Sequence, residues 1–315
     1  MGIFDIPNAE AIPSDLNRVV GGVKYMTRPS AFREEQQIRA SSFPICPRAY
    51  HIFRRTPYEK RPVANERFSS EAATLMGTAL HLAAQKWFAI QGYLYGNWVC
   101  VYCNKIRRHA TGIQICQSCG REMTYHEYEI PRADNVPFSG HVDGILRFGE
   151  ESILIDFKGS NPKAMQEVRK TNKPKESHYL QVNAYANAIN MNLALYGGIN
   201  AIKKLIIIYI DRSLPGQIWH PVKVPVSTKI YDETIARIRL AFLSLRDMVV
   251  PRGLCLQPTD DYAKWCPWKT ICFSPALEGL LSDKVEPVGS GRPNHSEREL
   301  LLLASYLEPG IKLDG

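Results

Sequence analysis

Two knuckles, Cys100-Val101-Tyr102-Cys103 and Cys116-Gln117-Ser118-Cys119-Gly120, stand twelve residues apart and constrain this chain more than any other stretch. Four thiols at that spacing make a closed tetrahedral donor set, each knuckle supplying two thiolates at about 2.3 Å to one zinc ion. With every coordination position filled by protein, the zinc is structural. Cys100, Cys103, Cys116 and Cys119 therefore predict a zinc ribbon over residues 96–125. Lys105, Arg107, Arg108 and His109 lie between the knuckles and give the ribbon a basic tip. Two readings of that tip stay open: a grip on DNA or a protein partner, and a solvated loop on a stabilising device.

A second constraint follows the ribbon. Ile145-Leu146-Arg147-Phe148 and Ser152-Ile153-Leu154-Ile155 are short apolar runs on either side of Gly149-Glu150-Glu151, the pattern of a β-hairpin. Such a hairpin brings Asp143 and Asp156 together. Alternation then puts Asp156 and Lys158 on one face of the second strand and Phe157 on the other. Two carboxylates on adjacent strands, with a lysine two residues on, suit metal-dependent phosphodiester hydrolysis. Asp143 and Asp156 would hold Mg²⁺ or Mn²⁺ with the main-chain carbonyl of Phe157, while Lys158 orients or deprotonates the attacking water. Downstream, Ser177 predicts the N-cap of a helix over 178–189, which places Gln181 and Tyr185 on one face beside the hairpin.

These groups follow Gly77-Thr78-Ala79-Leu80-His81 in the order His81, Gly140-His141-Val142-Asp143, Asp156-Phe157-Lys158, Gln181 and Tyr185. In that order the chain resembles the RecB-type branch of the PD-(D/E)XK nuclease superfamily, in particular the CRISPR-associated adaptation exonucleases and their phage-encoded relatives. The likeness runs over about 42–275, with the zinc ribbon as an insertion. It implies an α/β core, a mixed central sheet flanked by helices. It implies His81 as a nitrogen ligand to the catalytic ion, and Gln181 with Tyr185 as residues that orient DNA. It also implies an exonuclease acting on single-stranded DNA ends in recombination, repair or processing. A structure-selective endonuclease or resolvase, or a non-catalytic DNA-binding scaffold, are the alternatives.

The remaining cysteines also gain a reading from the resemblance. Cys46-Pro47-Arg48, and the pair Cys266 and Cys272 with Pro267-Trp268 between them, look like cluster ligands of those exonucleases. The relatives usually carry another cysteine three positions before the pair. Here that position is Ala263, so Cys255 must supply the thiolate from a longer loop. Cys46, Cys255, Cys266 and Cys272 are enough for a [4Fe–4S] cluster, although a thiolate set also suits zinc. Either metal would tie the start of the nuclease domain to its end.

A formal net charge of +8 and a pI near 9.0 favour an anionic partner, and with no basic amphipathic helix evident that partner is nucleic acid rather than a membrane. Met1-Gly2-Ile3-Phe4-Asp5 lacks the basic start and apolar core of a leader, and no apolar run is long enough to span a bilayer. The expected location is the cytoplasm of a bacterium or of a phage-infected host. Lys163, Arg169, Lys170, Lys173 and Lys175, with Gly159, Pro162 and Pro174, read as a mobile loop that contacts DNA phosphates over the active site. A long helix capped near Ser69 and running to Ile90 carries Met76, Leu80, Ala83 and Trp87 as its apolar stripe. Glu129 is a candidate neighbour of the metal site.

The expected organisation is an N-terminal arm (1–41), a helical part of the nuclease domain (42–95), the ribbon (96–125), the nuclease core (126–250) and a C-terminal cysteine region (251–285). Within the core, 204–211 reads as a central strand, 218–224 as an edge strand and 232–249 as a helix. A Gly/Pro/Ser linker and a helix capped by Ser296 (286–315) close the chain, the helix docking on the core or on a partner.

Overall fold

The computed structural model describes residues 38–42, 46–56, 68–130, 137–212, 219–246, 250–264 and 266–274. Nearly all of the expected arm, and the expected linker and C-terminal helix, lie outside the described residues. In chain order come β1 (Ile38–Arg39), α1 (Pro47–Arg55), α2 (Phe68–Ile90), β2 (Leu94–Val99), β3 (Ile106–Thr111), β4 (Thr124–His126), β5 (Tyr128–Glu129), β6 (Phe138–Ser139) and β7 (His141–Val142). Next are β8 (Gly144–Phe148), β9 (Glu151–Ser160), α3 (Pro162–Thr171), α4 (Glu176–Asn190), β10 (Lys204–Asp211), β11 (Trp219–Pro225), α5 (Thr228–Arg246), α6 (Asp261–Lys264) and α7 (Lys269–Cys272).

The main sheet has the order β11-β10-β9-β8-β2-β3, with β4 also pairing β2. β9 and β10 run parallel and the other pairs run antiparallel, so the sheet is mixed. Helices cover both faces. Leu154, Ile207, Tyr209 and Tyr95 point into one core with Leu180, Val182 and Ala184 of α4 and Ile235 and Ile238 of α5. Ile153, Ile155, Phe157, Ile208 and Ile210 point the other way, against Ala84 and Ala89 of α2. That double burial explains why β10 is an almost unbroken apolar run. The expected α/β class, a mixed sheet flanked by helices, is the observed one.

The hairpin forms as expected: β8 pairs β9 from Gly144↔Ile155 to Phe148↔Glu151, and Gly149 turns the chain at φ 58°. Three local expectations change. The basic stretch after Lys158 is not a loop but α3. Asn161 caps it through its side chain, which accepts from the Ala164 N–H at 2.8 Å, and Pro162 takes the first turn, where no donor is lost. Met165 and Val168, three apart, bury its inner face, and Asn172 ends it in the left-handed region at φ 49°. α4 begins at Glu176, with Lys175 at the cap position, so Ser177 lies inside the first turn. On α2 the expected stripe is turned: Met76, Ala83 and Trp87 are exposed, while Ala84, Gln85 and Ala89 are buried. The buried side is the one that carries His81 and Gln85, set by polar partners that hydropathy does not register.

β2 belongs to two units at once. Its first residues pair β8 at Leu94↔Leu146 and Tyr95↔Ile145, and its last pair β4 at Trp98↔Tyr125 and Val99↔Thr124. The ribbon therefore grows out of the main sheet as a continuation of one strand.

Candidate active site and cysteine sites

Asp143 sits on the bend between β7 and β8, and its Oδ2 accepts the Phe157 N–H at 2.7 Å. This bond locks the Asp143 carboxylate against β9 beside Asp156. Asp156 is 1% exposed. Lys158 Nζ lies 2.8 Å from its Oδ2 and 3.1 Å from Oδ1, but only the Oδ1 contact has hydrogen-bond geometry, which leaves Oδ2 buried without a donor. His81 on α2 brings Nδ1 to 3.4 Å from Asp143 Oδ2, its ring edge-on to buried Phe157.

The electrostatics follow from burial. Removal from water pushes Asp156 up to about 6, with Lys158 opposing and Asp143 adding to the shift. Asp143 is raised by the same burial, opposed by His81 and Lys158. Burial also works against the Lys158 ammonium, yet Asp156 and Asp143 outweigh it and hold the lysine above its ordinary value. The cluster thus carries more buried negative charge than its one lysine neutralises.

A third carboxylate joins them. Gln85, one helical turn after His81, donates through Nε2 to Glu127 Oε1 and to the Asp143 carbonyl, both at 2.8 Å. Burial raises Glu127, with Gln85 and His81 opposing and Asp156 adding. The near neighbour is therefore Glu127 and not Glu129, which is exposed on β5. The i, i+4 spacing of His81 and Gln85 was the one legible signal of this clamp; nothing in the sequence marks Glu127.

A hard divalent cation fits this donor set: the carboxylates cluster around one lysine, and the buried Asp156 Oδ2 makes no hydrogen bond beyond its ion pair with Lys158. His81, Asp143, Asp156 and Glu127 do not converge as closely as the ribbon thiols, the one group among the described residues whose ligand atoms all lie within 4.8 Å of one another.

Gln181 donates to the Tyr185 hydroxyl at 3.0 Å, and both side chains are buried. The Tyr185 ring packs directly over Gly140, where a Cβ would collide with it. The pair braces the chain at Gly140, just before the β7 strand that leads to Asp143, and the face expected to meet substrate is turned inward. Lys163, Arg169, Lys170 and Lys173 are exposed on α3 and just beyond it. Behind Lys158, Tyr209 occupies the partner position in register on β10. Its hydroxyl lies 2.9 Å from His178 Nδ1 and accepts the Lys175 N–H at 3.0 Å.

In the ribbon, Cys100 Sγ is 3.6 Å from Cys103 and 3.5 Å from Cys119, and Cys103 is 3.9 Å from Cys116. A tetrahedral zinc with sulfurs at about 2.3 Å sets sulfur separations of roughly 3.8 Å, so the donors fit the ion. The knuckles are copies of one turn. Cys100 N–H donates to Lys105 O and Asn104 N–H to Cys100 O; Cys116 N–H donates to Arg121 O and Gly120 N–H to Cys116 O, all at 2.8 Å. Asn104 and Gly120 occupy the same left-handed position, at φ 55° and 70°. Hydrogen bonding from the Cys103 N–H, the largest of several contributions, draws the Cys100 thiol down to about 6.

Cys46, Cys255, Cys266 and Cys272 line one small cavity with Ala49, Ala263 and Lys269. Cys46 caps α1, and the Leu254 N–H points at its Sγ from 3.5 Å, across 208 positions of sequence. Burial, then the neighbouring Cys46 and Cys266, push the Cys255 thiol up to about 11. Arg48 Nε holds the Pro251 carbonyl at 2.7 Å, and Phe53 meets Trp268 edge-on, fastening α1 to the 251–272 segment around the cavity.

Fold and site together define a mixed α/β protein with paired carboxylates and a lysine on neighbouring strands, and two separate four-cysteine sets. Solved structures similar to it include an alkaline exonuclease, LHK-Exo, from Laribacter hongkongensis, and LHK-Exo in complex with dAMP. The complex is 14% identical, with 68% of this chain and 90% of that chain covered and a TM-score of 0.39. The other structure has the same identity and coverage and a TM-score of 0.36. No protein-family model and no curated protein matches the chain.

Proposed function

We propose that this chain is a divalent-cation-dependent deoxyribonuclease, and more specifically an exonuclease on single-stranded ends. One observation carries the reading: Asp143 and Asp156, thirteen residues apart, meet across β8 and β9 with Lys158 on Asp156 and a buried carboxylate oxygen left without a donor. Such a surplus of buried negative charge disfavours folding unless a cation or a reaction uses it. Bound Mg²⁺ or Mn²⁺ would supply Lewis-acid polarisation of the phosphate and a water of lowered pKa.

The chain's residues have distinct tasks in this reading. Asp143, Asp156 and His81 bind the ion, joined by the Phe157 carbonyl, and Gln85 holds Glu127 and the Asp143 backbone in place. Lys158 orients the attacking water and balances charge on the phosphoryl oxygens. Gln181 and Tyr185 fix the turn at Gly140, while Lys163, Arg169, Lys170 and Lys173 offer phosphate contacts from α3. Zinc sits in the ribbon. A [4Fe–4S] cluster is proposed at Cys46, Cys255, Cys266 and Cys272. In support, the four thiols line one cavity, and four thiolates are what such a cluster needs.

The test is nucleotide release from end-labelled linear single-stranded DNA in Mn²⁺ or Mg²⁺, with Asp156→Ala and with EDTA. Metal-dependent release from one end, absent in the variant, supports the exonuclease. Cutting of circular single-stranded DNA would make it an endonuclease, and binding without cleavage of linear, duplex and branched DNA would leave a scaffold. Among the described residues, no helix is long and apolar enough to cross a membrane.

A further inference from the structure

A sizeable cleft lies apart from the carboxylates. It has a volume of about 430 Å³ and opens between the zinc ribbon and the core. We propose that this cleft is a second DNA site, which holds a single strand of the nuclease's substrate beside the catalytic carboxylates. The choice of ligand rests on the nuclease reading; the existence of the site does not.

Position is the first argument. β5 lines the cleft with Tyr128 and Glu129, and the residue before it, Glu127, belongs to the carboxylate cluster. β5 pairs β7 at Tyr128↔Val142, and the residue after Val142 is Asp143. At about 3.3 Å per residue, Glu129 lies roughly 7 Å along the chain from Glu127. The cleft and the carboxylates are therefore neighbours along one strand.

Charge and shape are the second. Arg108 and His126 are exposed in the wall, Lys105 and Arg107 are exposed on the same hairpin, and Glu129 is the one carboxylate of the lining. Ile106 and Leu195, 56% and 61% exposed, contribute apolar surface from the ribbon and the core respectively. Cations together with apolar surface suit phosphates and base faces. Asn97 contributes a buried Oδ1 with no donor, an acceptor for a base amino group.

Rigidity is the third. His109 holds the left-handed region at φ 56°, its Nδ1 2.8 Å from the Tyr128 hydroxyl and its ring stacked near Tyr128 and packed over Gly197. The ribbon is thereby fastened to the core across the cleft floor, so the site is formed before any ligand arrives. An acidic peptide is the competing ligand for the Arg108 side of the wall; the apolar surface and the acceptor at Asn97 favour bases.

The experiment uses the full chain carrying Asp156→Ala, so that DNA is bound and not cut. Anisotropy of a short fluorescein-labelled single-stranded oligonucleotide is read across a salt series for that parent, for added Arg108→Ala with His126→Ala, and for added Asn97→Leu. Zinc content confirms that each ribbon is intact. An oligonucleotide carrying 5-iodouracil is photo-crosslinked to the parent and the attachment mapped by mass spectrometry. The expected result is a Kd raised about tenfold in the double variant, with a salt slope shallower by about 0.7 for each phosphate that is no longer neutralised. Crosslinks are expected within 106–109 or 195–196. Unchanged Kd and slope with crosslinks elsewhere would overturn the cleft site while leaving the nuclease intact, provided the wild type still cuts. Loss of binding in these variants of a chain whose wild type cuts nothing would keep the site and remove the nuclease. A parent that binds no single-stranded DNA, or a cleft that takes an acidic peptide without displacing DNA, would end the proposal.

Discussion

At Asp156 burial of a carboxyl costs the fold stability. Its carboxyl is raised from 3.8 to about 6 by burial, so the folded protein holds a proton that the unfolded chain has lost between about pH 4 and 6. The native state therefore loses stability as pH rises through that window and does not regain it above. The displacement is worth up to about 3 kcal/mol. Asp156→Asn is expected to raise the Tm of EDTA-treated protein at pH 8 and to change it little at pH 4; an equal gain at both would remove the charge explanation. Lys158→Ala is expected to cut the cleavage rate by roughly 10²-fold or more at saturating Mn²⁺, the usual scale for a group that handles the water's proton. Gln85→Ala, which frees Glu127 and the Asp143 backbone, is expected to raise the Mn²⁺ concentration for half-maximal cleavage about 10- to 100-fold, as loss of an outer hydrogen bond does in metal sites. A fall in rate with no change in Mn²⁺ requirement would place Gln85 outside ion binding.

Among elements, the sharing of β2 between sheet and ribbon has a thermodynamic consequence. Because Leu94 and Tyr95 pair β8 while Trp98 and Val99 pair β4, zinc bound at the ribbon would be coupled to the main sheet. Cys116→Ser is expected to lower the single unfolding transition of the whole chain, in calorimetry, and not to release a separate low-temperature step. Two resolved transitions would mean that the ribbon folds apart from the sheet. α3 offers a smaller check: Asn161→Ala removes its cap bond and should cost about 1 kcal/mol in urea denaturation.

For the described molecule as a whole, the decisive contact joins α1 to the segment after α5. Cys46 at the start of α1 shares a cavity with Cys255, Cys266 and Cys272, and the Arg48 and Trp268 contacts close around it. With an iron–sulfur cluster there, the purified protein is brown, and Cys46→Ala is expected to bleach it and lower the Tm by several degrees through loss of the long loop closure. Colourless protein with two zinc ions per chain would assign zinc to both sets.

The hairpin turn, the alternation around Asp156 and Lys158, and both cysteine knuckles were written in the sequence, because each is a short-range pattern whose spacing alone fixes geometry. The apolar runs of β9 and β10 likewise announced a buried sheet. Tertiary structure decided what depends on partners far along the chain. Glu127 became a neighbour of Asp143 only because α2 delivers Gln85 to both, and Gln181 and Tyr185 turned inward because Gly140 leaves room for a ring. The cleft beneath the ribbon exists because β2 serves two sheets' worth of neighbours. Local spacing sets dihedrals and faces; which faces meet is set by burial and by pairing between residues as far apart as Gln85 and Asp143, 58 positions, and a single sequence carries no direct record of that.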